Sequence, residues 1–497
     1  MKYLLFSLCL FLSGPPVVRA TDFTVVAYNV ENLFDLDGVS LFGDYAMSED
    51  EGSYSREKLL TKLQTIGRVL QSVDGGRGPD LILFQEFEAD FTPDSTVTDY
   101  AEFLRRYRNL STADMLGTKW RPEFSGIPVE AWLLKQLSDL GIGGYEIAVA
   151  PAKSTDSGIA HSNAAFSRFP IRELRLHKMP EARDLLELRL DVDGRALVVF
   201  CNHWKSGASD PEREAIRVRD ARVLRGRIDT LLKADPFADI IVGGDLNSNY
   251  NQSLLYPEIK TGIGDVLRSQ GDEAAIQKTG GPDLYNLWFE LPPEARFSEI
   301  WRGRKGTLMH LILSRGLYDD YGISYVDGSF HTLVVPEVNA DGWGRPVRWS
   351  FLGRSGGGAS DHLPLIARFR AGSGSRPGKF PKLRNPSDGT EAPDFEYGFN
   401  YGKAAPANLP GASELATTLD AGETGRAVGR LFSLETRVTS RNPLEIGIMG
   451  RRYPVYVPER ALFHKLRKLP EGSRLRIVGE LNLWNGELQW IVYRVVD

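Results

Sequence analysis

The stretch Ile240-Ile241-Val242-Gly243-Gly244-Asp245-Leu246-Asn247-Ser248 decides how the chain is read. Three β-branched apolar residues read as the end of a buried strand. Two glycines follow, where the backbone must turn sharply or let something approach closely. An acid and an amide come next, two positions apart. In an extended segment such residues point to one side, so Asp245 and Asn247 are expected to face a common pocket at the strand's end. A carboxylate there can hold a metal or orient a water, and an amide can donate to a phosphate oxygen. A strand closed by an Asx-type turn uses the same residues, so the stretch needs the rest of the chain to choose between the two.

Working outward, other apolar runs end in the same way. Asp22 to Val30 is β-rich and delivers Asn29. Asp80 to Glu86 follows a Gly/Pro-rich turn and closes on the carboxylate of Glu86. Ala196 to Phe200 runs into Cys201-Asn202-His203-Trp204-Lys205. Leu308 to Ser314 is a further strand, and Gly356-Gly357-Gly358 leads through Ser360-Asp361-His362 into a last one. Between them, Arg56 to Val73 carries Leu59, Leu60, Leu63, Ile66, Val69 and Leu70 at helical spacing. A second helix is expected over Glu212 to Leu232, its arginines forming a solvated face. Asn163 to Ile171 reads as a strand closed by a turn, and Leu185 to Leu190 as a half-exposed strand. Residues 87–150 mix helical patterns with loops. Strands and helices arriving from distant parts of the chain predict a layered α/β or α+β sandwich of about 350 residues.

The chain has 497 residues, more than one ordinary domain. At 42% hydrophobic and 25% charged residues it is not a wholly disordered chain. Lys2, the apolar run Tyr3 to Leu12 and the small residue Ala20 read as a secretory signal peptide over residues 1–20. The product is expected to be exported, periplasmic or extracellular, with no membrane span, because no later run is long and apolar enough. Cys9 leaves with the signal, and Cys201 remains alone in an apolar run, which predicts a buried, inert thiol and no internal disulfide. Losing Lys2 and Arg19 moves the formal charge from −5 to −7. That is not the basic balance common in nucleic-acid binders, although a bound ion can supply local positive charge.

From Ala371 to about Pro410 the composition shifts to Gly, Ser, Pro and Asn, a linker or a segment draped on the surface. Beyond it, from residue 411, five strands are expected with one helix, Glu459 to Leu466, between the third and fourth. That is the order of an OB-fold. Asn485-Gly486 is a hairpin turn signal. From Pro410 onward 13 Lys and Arg face 10 Asp and Glu, so this part is mildly basic. Trp484 and Trp490 flank the turn and read either as stacking platforms or as core residues.

The polar residues at the strand ends are Asn29, Glu86, His203, Asp245, Asn247, Asp361 and His362. They comprise three carboxylates, two amides and two imidazoles, with no Ser-His-Asp order and no thiol. Hard oxygen ligands suit Mg²⁺ or Mn²⁺ rather than zinc. This is the kit for attack of water on a phosphate ester.

Five segments carry a family resemblance: Val26 to Asp35, Leu83-Phe84-Gln85-Glu86, Asn202-His203-Trp204-Lys205-Ser206, Gly243 to Ser248, and Ser360-Asp361-His362-Leu363-Pro364. In this order, over residues 21–370, they resemble the endonuclease/exonuclease/phosphatase superfamily, most closely its exported bacterial nuclease-like branch. The resemblance implies a four-layered α/β sandwich. It implies Glu86 as principal metal ligand with Asn29 beside it and Asp361 near the metal. Asp245 would orient or deprotonate the attacking water, Asn247 would bind the phosphate, and His203 would stabilise the transition state. His362 would act as base or phosphate ligand. One position departs from the pattern: Met309 stands where relatives carry an Asp that orients the last histidine. A thioether cannot take that role, so the expectations are a slowed enzyme, a substitute partner such as His310, or a binding module without activity. The resemblance implies a nuclease acting on DNA or RNA, with a phosphatase or sphingomyelinase-like phospholipase as the rival.

Overall fold

The structure is a computed structural model. It describes residues 21–37, 54–89, 97–151, 161–208, 210–279, 281, 283–372, 374–390, 398–401 and 405–496. The expected signal peptide lies outside these residues.

Two seven-stranded sheets face each other. The first runs Ile323–Tyr325, Leu365–Ala371, Asp22–Leu33, Leu81–Glu88, His161–Ser167, Glu146–Val149, with His331–Thr332 also paired to Leu365–Ala371. The second runs Ile171–His177, Leu185–Val192, Arg195–His203, Ile240–Asp245, Met309–Leu313, Leu284–Asn286, Ser269–Gln270. The strands at the centre of each sheet are buried on both faces, which is why they read as continuous apolar runs rather than alternating ones. Val25, Ala27, Leu83 and Phe369 of the first sheet pack on Leu188, Val199, Cys201 and Leu311 of the second. The outer face of the first sheet, with Val26, Ile82 and Phe84, is covered by Arg56–Gln71 and Val129–Asp139. The outer face of the second, with Val198, Phe200 and Val242, is covered by Pro211–Ala234. The layers are helix, sheet, sheet, helix, as the resemblance implied.

Local signals account for the helix ends. The Ser55 hydroxyl accepts from the backbone N–H of Lys58, and the Asp210 carboxylate accepts from that of Glu212, with Pro211 at the first helical position. Two expectations change. The strand expected over Asn163 to Ile171 is His161–Ser167, and Ile171 instead opens an edge strand of the other sheet. The helix Pro211–Ala234 does not present all its arginines to solvent: Arg217 and Arg225 are buried. Arg217 donates to the carbonyls of Lys205 and Gly207 at 3.0 and 3.1 Å and to Glu214 at 2.8 Å. It therefore holds the loop after His203 in place.

Leu431–Arg441, Leu444–Ile448, Arg451–Tyr456, Arg474–Trp484 and Glu487–Val496 close a small barrel in the order first, second, third, fifth, fourth. The helix Arg460–Lys468 sits between the third and fourth strands, as an OB-like pattern requires. Trp490 is fully buried in the barrel against Phe432 and Tyr453, so it is core and not a stacking platform. The barrel is fixed to the sandwich. Buried Arg345 donates to Glu480 at 2.6 Å and to the carbonyl of Gly429 at 2.9 Å. Residues 374–390 are not a free linker but lie along the sandwich, with Phe380 and Leu383 against its core. Among the described residues no helix is long and apolar enough to cross a membrane.

Candidate active site

Strand parity explains why the site forms. Val25 and Ala27, Val199 and Cys201, and Ile241 all face the space between the sheets. Counting on by twos reaches Asn29, His203 and Asp245, which share that face at the ends of their strands. Registers bring them level: Asn29 pairs with Gln85, and His203 with Asp245. The two glycines of the central stretch do not make a turn. A side chain at Gly243 would meet Leu83 Cδ1 of the facing sheet at 2.6 Å. At Gly244, with φ at +121°, it would meet the carbonyl of Asn202 at 2.2 Å. They let the backbone approach closely inside a strand that ends at Asp245.

Glu86 reaches the same place by a different device. Counting on from Leu81 and Leu83 arrives at Gln85. The pairing shifts between Gln85 and Phe87, and Glu86 has φ at +58°. This bulge turns the carboxylate into the cleft. Asn247 also breaks parity. With φ at +48° it follows an Asx turn in which its N–H donates to Asp245 Oδ1 at 2.8 Å. Both readings of the opening stretch therefore hold at once: there is an Asx turn, and Asp245 and Asn247 line one cleft.

The cleft has a volume of about 850 Å³ and holds Glu86, His203, Asp245, Asn247, Asp361 and His362. Asn29 Nδ2 donates to Glu86 Oε1 at 3.0 Å and Asp245 Oδ2 at 3.1 Å, while its oxygen accepts from the N–H of Glu31. Expected as a metal ligand, Asn29 here bridges the two carboxylates. His203 Nε2 lies 3.8 Å from both Glu86 and Asp245. His362 Nε2 lies 3.6 Å from Asp245, 3.7 Å from Asp361 and 3.9 Å from Glu299. Ser360 fixes this loop, donating to the Asn29 carbonyl at 2.7 Å and accepting from the N–H of His362.

The electrostatics separate the two imidazoles. Burial, helped by Arg183, His161 and His362, holds His203 well below the ordinary histidine range, so it is neutral. Burial also pulls His362 down, but Asp361, Asp245, Glu299 and Glu86 outweigh it and push it up to about 9. Burial raises Glu86, with Asp361 adding and Arg183 opposing. Burial likewise raises Asp245, opposed chiefly by His362. Carboxylates crowded and desolvated in this way call for positive charge beside them. Glu86, His203 and Asp245 each offer a ligand atom within 4.8 Å of the others. The carboxylate oxygens of this set fit a hard divalent cation, with His203 beside them.

Three side chains at the site escaped the strand-end pattern. Glu31, pushed up to about 7 by burial and Asp361, pairs with Arg348 at 3.3 Å. Arg183 is close enough to act on both Glu86 and Asp245. Glu299 lies on the hairpin Glu299–Trp301 and Arg304–Gly306, its backbone bridged to that of His362. Only Glu31 had a signal, since it sits two residues past Asn29.

Met309 is buried, faces the core between the sheets and stands opposite Asp245. His362 Nδ1 is buried with no hydrogen-bond partner, as expected when the orienting carboxylate is missing. His310 does not replace it. Its Nε2 donates to the Ser248 carbonyl at 2.8 Å, and its Nδ1 accepts from Asn286 at 3.1 Å. Burial lowers it to about 4, against the Ser248 hydrogen bond, so it is a neutral packed histidine.

One wall of the cleft is not part of the sandwich. Tyr456 and Pro458 of the barrel close it opposite Trp301, Arg302, Arg304 and Lys305. The Arg302 guanidinium lies 4.7 Å from the Tyr456 ring, 5.0 Å from Trp484 and 5.4 Å from Trp301. Trp301 and Trp484 are 48% and 45% exposed.

Residues 151–370 match the model of the Endonuclease/Exonuclease/phosphatase family. No curated protein matches the chain. Solved structures similar to it include an endonuclease/exonuclease/phosphatase family protein from Bacteroides thetaiotaomicron, 12% identical, covering 71% of this chain and 99% of that one, TM-score 0.38. Another is D. rerio TDP2 complexed with single strand DNA product, 11% identical, covering 70% and 99%, TM-score 0.37. A third is the human Nocturnin catalytic domain with bound sulfate anion, 14% identical, covering 70% and 94%, TM-score 0.36. Residues 151–370, which hold the last three of the five sequence motifs, are similar to the Endonuclease/Exonuclease/phosphatase family.

Proposed function

We propose that the chain is an exported, Mg²⁺- or Mn²⁺-dependent phosphodiester hydrolase that cuts within DNA or RNA strands. The observation that carries this reading is the convergence of Glu86, His203, Asp245 and His362 on one cleft. Glu86, with Asp361 near it, would hold the cation. When bound, the ion neutralises phosphoryl oxygens and promotes ionisation of water. The remaining work belongs to the chain. Asp245, held by Asn29 and by the N–H of Asn247, accepts a hydrogen bond from the attacking water and orients it. Neutral His203 donates a hydrogen bond to a non-bridging oxygen, and protonated His362 faces the charge that grows there. One amide hydrogen of Asn247 is committed to the Trp204 carbonyl at 3.1 Å, and the other is available to phosphate.

The rim supports a nucleic-acid substrate. Exposed indoles offer faces to bases, and Arg302, Arg304 and Lys305 offer charge to the backbone. The leader expected over residues 1–20 supports export. The test is nicking of supercoiled plasmid by the purified mature chain, with single-stranded DNA and RNA in parallel. Cleavage is expected with Mg²⁺ or Mn²⁺, abolished by EDTA and reduced at least about 100-fold by His203→Ala. Absence of cleavage on all three polymers with either metal overturns the nuclease reading.

A further inference from the structure

Three carboxylates meet outside the cleft. Glu273 opens the short helix Glu273–Thr279, Glu290 closes the turn Leu287–Glu290, and Asp327 follows the strand Ile323–Tyr325. An oxygen of each lies within 4.8 Å of the others, and none of the three lines the cleft. Glu273 is 1% exposed. Its Oε1, the Oε1 of Glu290 and the hydroxyl of fully buried Tyr285 have no strict hydrogen-bond geometry to any neighbour, and the two carboxyl groups lie close enough to share a proton when no cation is bound. Both glutamates act electrostatically on Tyr285, so the phenol and the carboxylates share one space. The strongest influences on Glu273 and Glu290 are burial, other carboxylates and hydrogen-bond donors, with no cationic side chain among them.

Burying acids together without a counter-charge is costly, and either protons or a cation must compensate. Burial and Asp327 push Glu273 up to about 7. Glu290 is pushed up to about 9 by burial and by the two other acids, against the hydrogen bond from Tyr325. The cluster also joins parts of the chain that are far apart in sequence. The N–H of Glu273 donates to the Ser387 carbonyl at 3.0 Å, and Asp327 Oδ2 accepts from the N–H of Arg384 at 2.7 Å. Asp272 and Asp388 form a β-bridge beside it.

We propose that Glu273, Glu290 and Asp327 bind a calcium ion that fastens residues 384–388 to the sandwich. The donors are all hard oxygens, with no imidazole or thiolate. Calcium accepts many protein oxygens at about 2.3–2.6 Å, whereas magnesium gives up its waters reluctantly and suits a buried carboxylate cluster less well. The ion supplies the missing counter-charge, and the unpaired oxygens become ligands.

The test uses the full chain carrying Glu86→Gln, which weakens the donor set in the cleft. It is stripped with chelator and compared with the same chain carrying Glu273→Gln and Glu290→Gln as well. Addition of CaCl₂ is expected to raise the melting temperature of the first by several degrees and of the second not at all. Terbium luminescence excited through tyrosine is expected in the first, displaced by calcium, and lost in the second. Asp327→Asn, at the more exposed side of the cluster, is expected to weaken calcium binding about 10-fold, and it serves if the double substitution does not fold. No calcium-dependent shift, or an equal shift in both chains, overturns the site. An equal shift with MgCl₂ at the same concentration overturns the choice of calcium.

Discussion

Glu299 and Met309 bear on His362 from two different elements. The thioether of Met309 offers no strong acceptor, and His362 Nδ1 is left without one. Glu299 instead places a carboxylate 3.9 Å from His362 Nε2, and burial, with Asp361 and Asp245 adding, pushes it up to about 7 against the opposing charge of His362. Glu299→Gln is therefore expected to lower kcat about 10- to 100-fold with little change in KM, measured in steady state on an oligonucleotide. Met309→Asp is expected to add no activity. It would cost about 2 kcal/mol of stability, read by denaturant unfolding, because it buries a second carboxylate opposite Asp245. A gain in rate from Met309→Asp would show that the unpartnered Nδ1 of His362 limits the native site. The sequence could not announce Glu299. It closes no apolar run, and only the hairpin it sits on brings it to His362. Asn29, His203 and Asp245 were legible because period-two alternation places a strand-end residue on a known face. Glu86 arrives by a bulge that the same counting places on the wrong side.

The outermost strands and the long helix are tied by a charged junction that an apolar pattern does not reveal. Glu187, on Leu185–Val192, is buried and accepts from Arg227 at 2.6 and 2.7 Å and faces His177 Nε2 at 2.6 Å. Burial raises the carboxyl, but the hydrogen bonds and charge of His177 and Arg227 outweigh it and pull it down to about 2. A carboxylate depressed in the folded state contributes stability above its unfolded value, about 4.3, and loses it as pH falls toward 2. The contribution is on the order of 2–3 kcal/mol. Glu187→Gln is expected to be less stable than the parent at pH 7, and the gap is expected to narrow to under about 1 kcal/mol by pH 2.5, followed by urea unfolding at both values. Arg227 read as part of a solvated face because helix periodicity reports which positions face inward, not which polar groups will meet across elements. The hairpin between Trp301 and Arg304 follows a familiar rule instead. Arg302 and Gly303 both have positive φ, 49° and 81°, as a two-residue turn between twisted strands requires.

At the scale of the molecule, the two folded parts share one cleft. The five barrel strands and their helix were readable in order from hydrophobic alternation and the Asn485-Gly486 turn. Their place against the cleft was not, because docking rests on single contacts between distant segments. Arg345 with Glu480 is one. The Arg302 guanidinium, 4.7 Å from the Tyr456 ring, is another. If the rim holds bases, Trp301→Ala with Trp484→Ala is expected to raise KM for a single-stranded oligonucleotide about 10-fold or more. Turnover of bis(p-nitrophenyl) phosphate, too small to reach the rim, is expected to stay unchanged. Equal losses on both substrates would place the indoles in scaffold support.

A side chain at Gly303 would meet the rings of Tyr493 and Tyr401 at 3.2 and 3.4 Å, so the hairpin tip is seated on the barrel's last strand. That seat has an order in time. A chain made from its N terminus has Asn29, Glu86, His203, Asp245 and His362 in hand long before Tyr456, Trp484 and Tyr493 are added. The floor of the cleft is complete first and its wall last, so on the proposed function the emerging chain holds the residues of the hydrolytic site before it holds those of the rim.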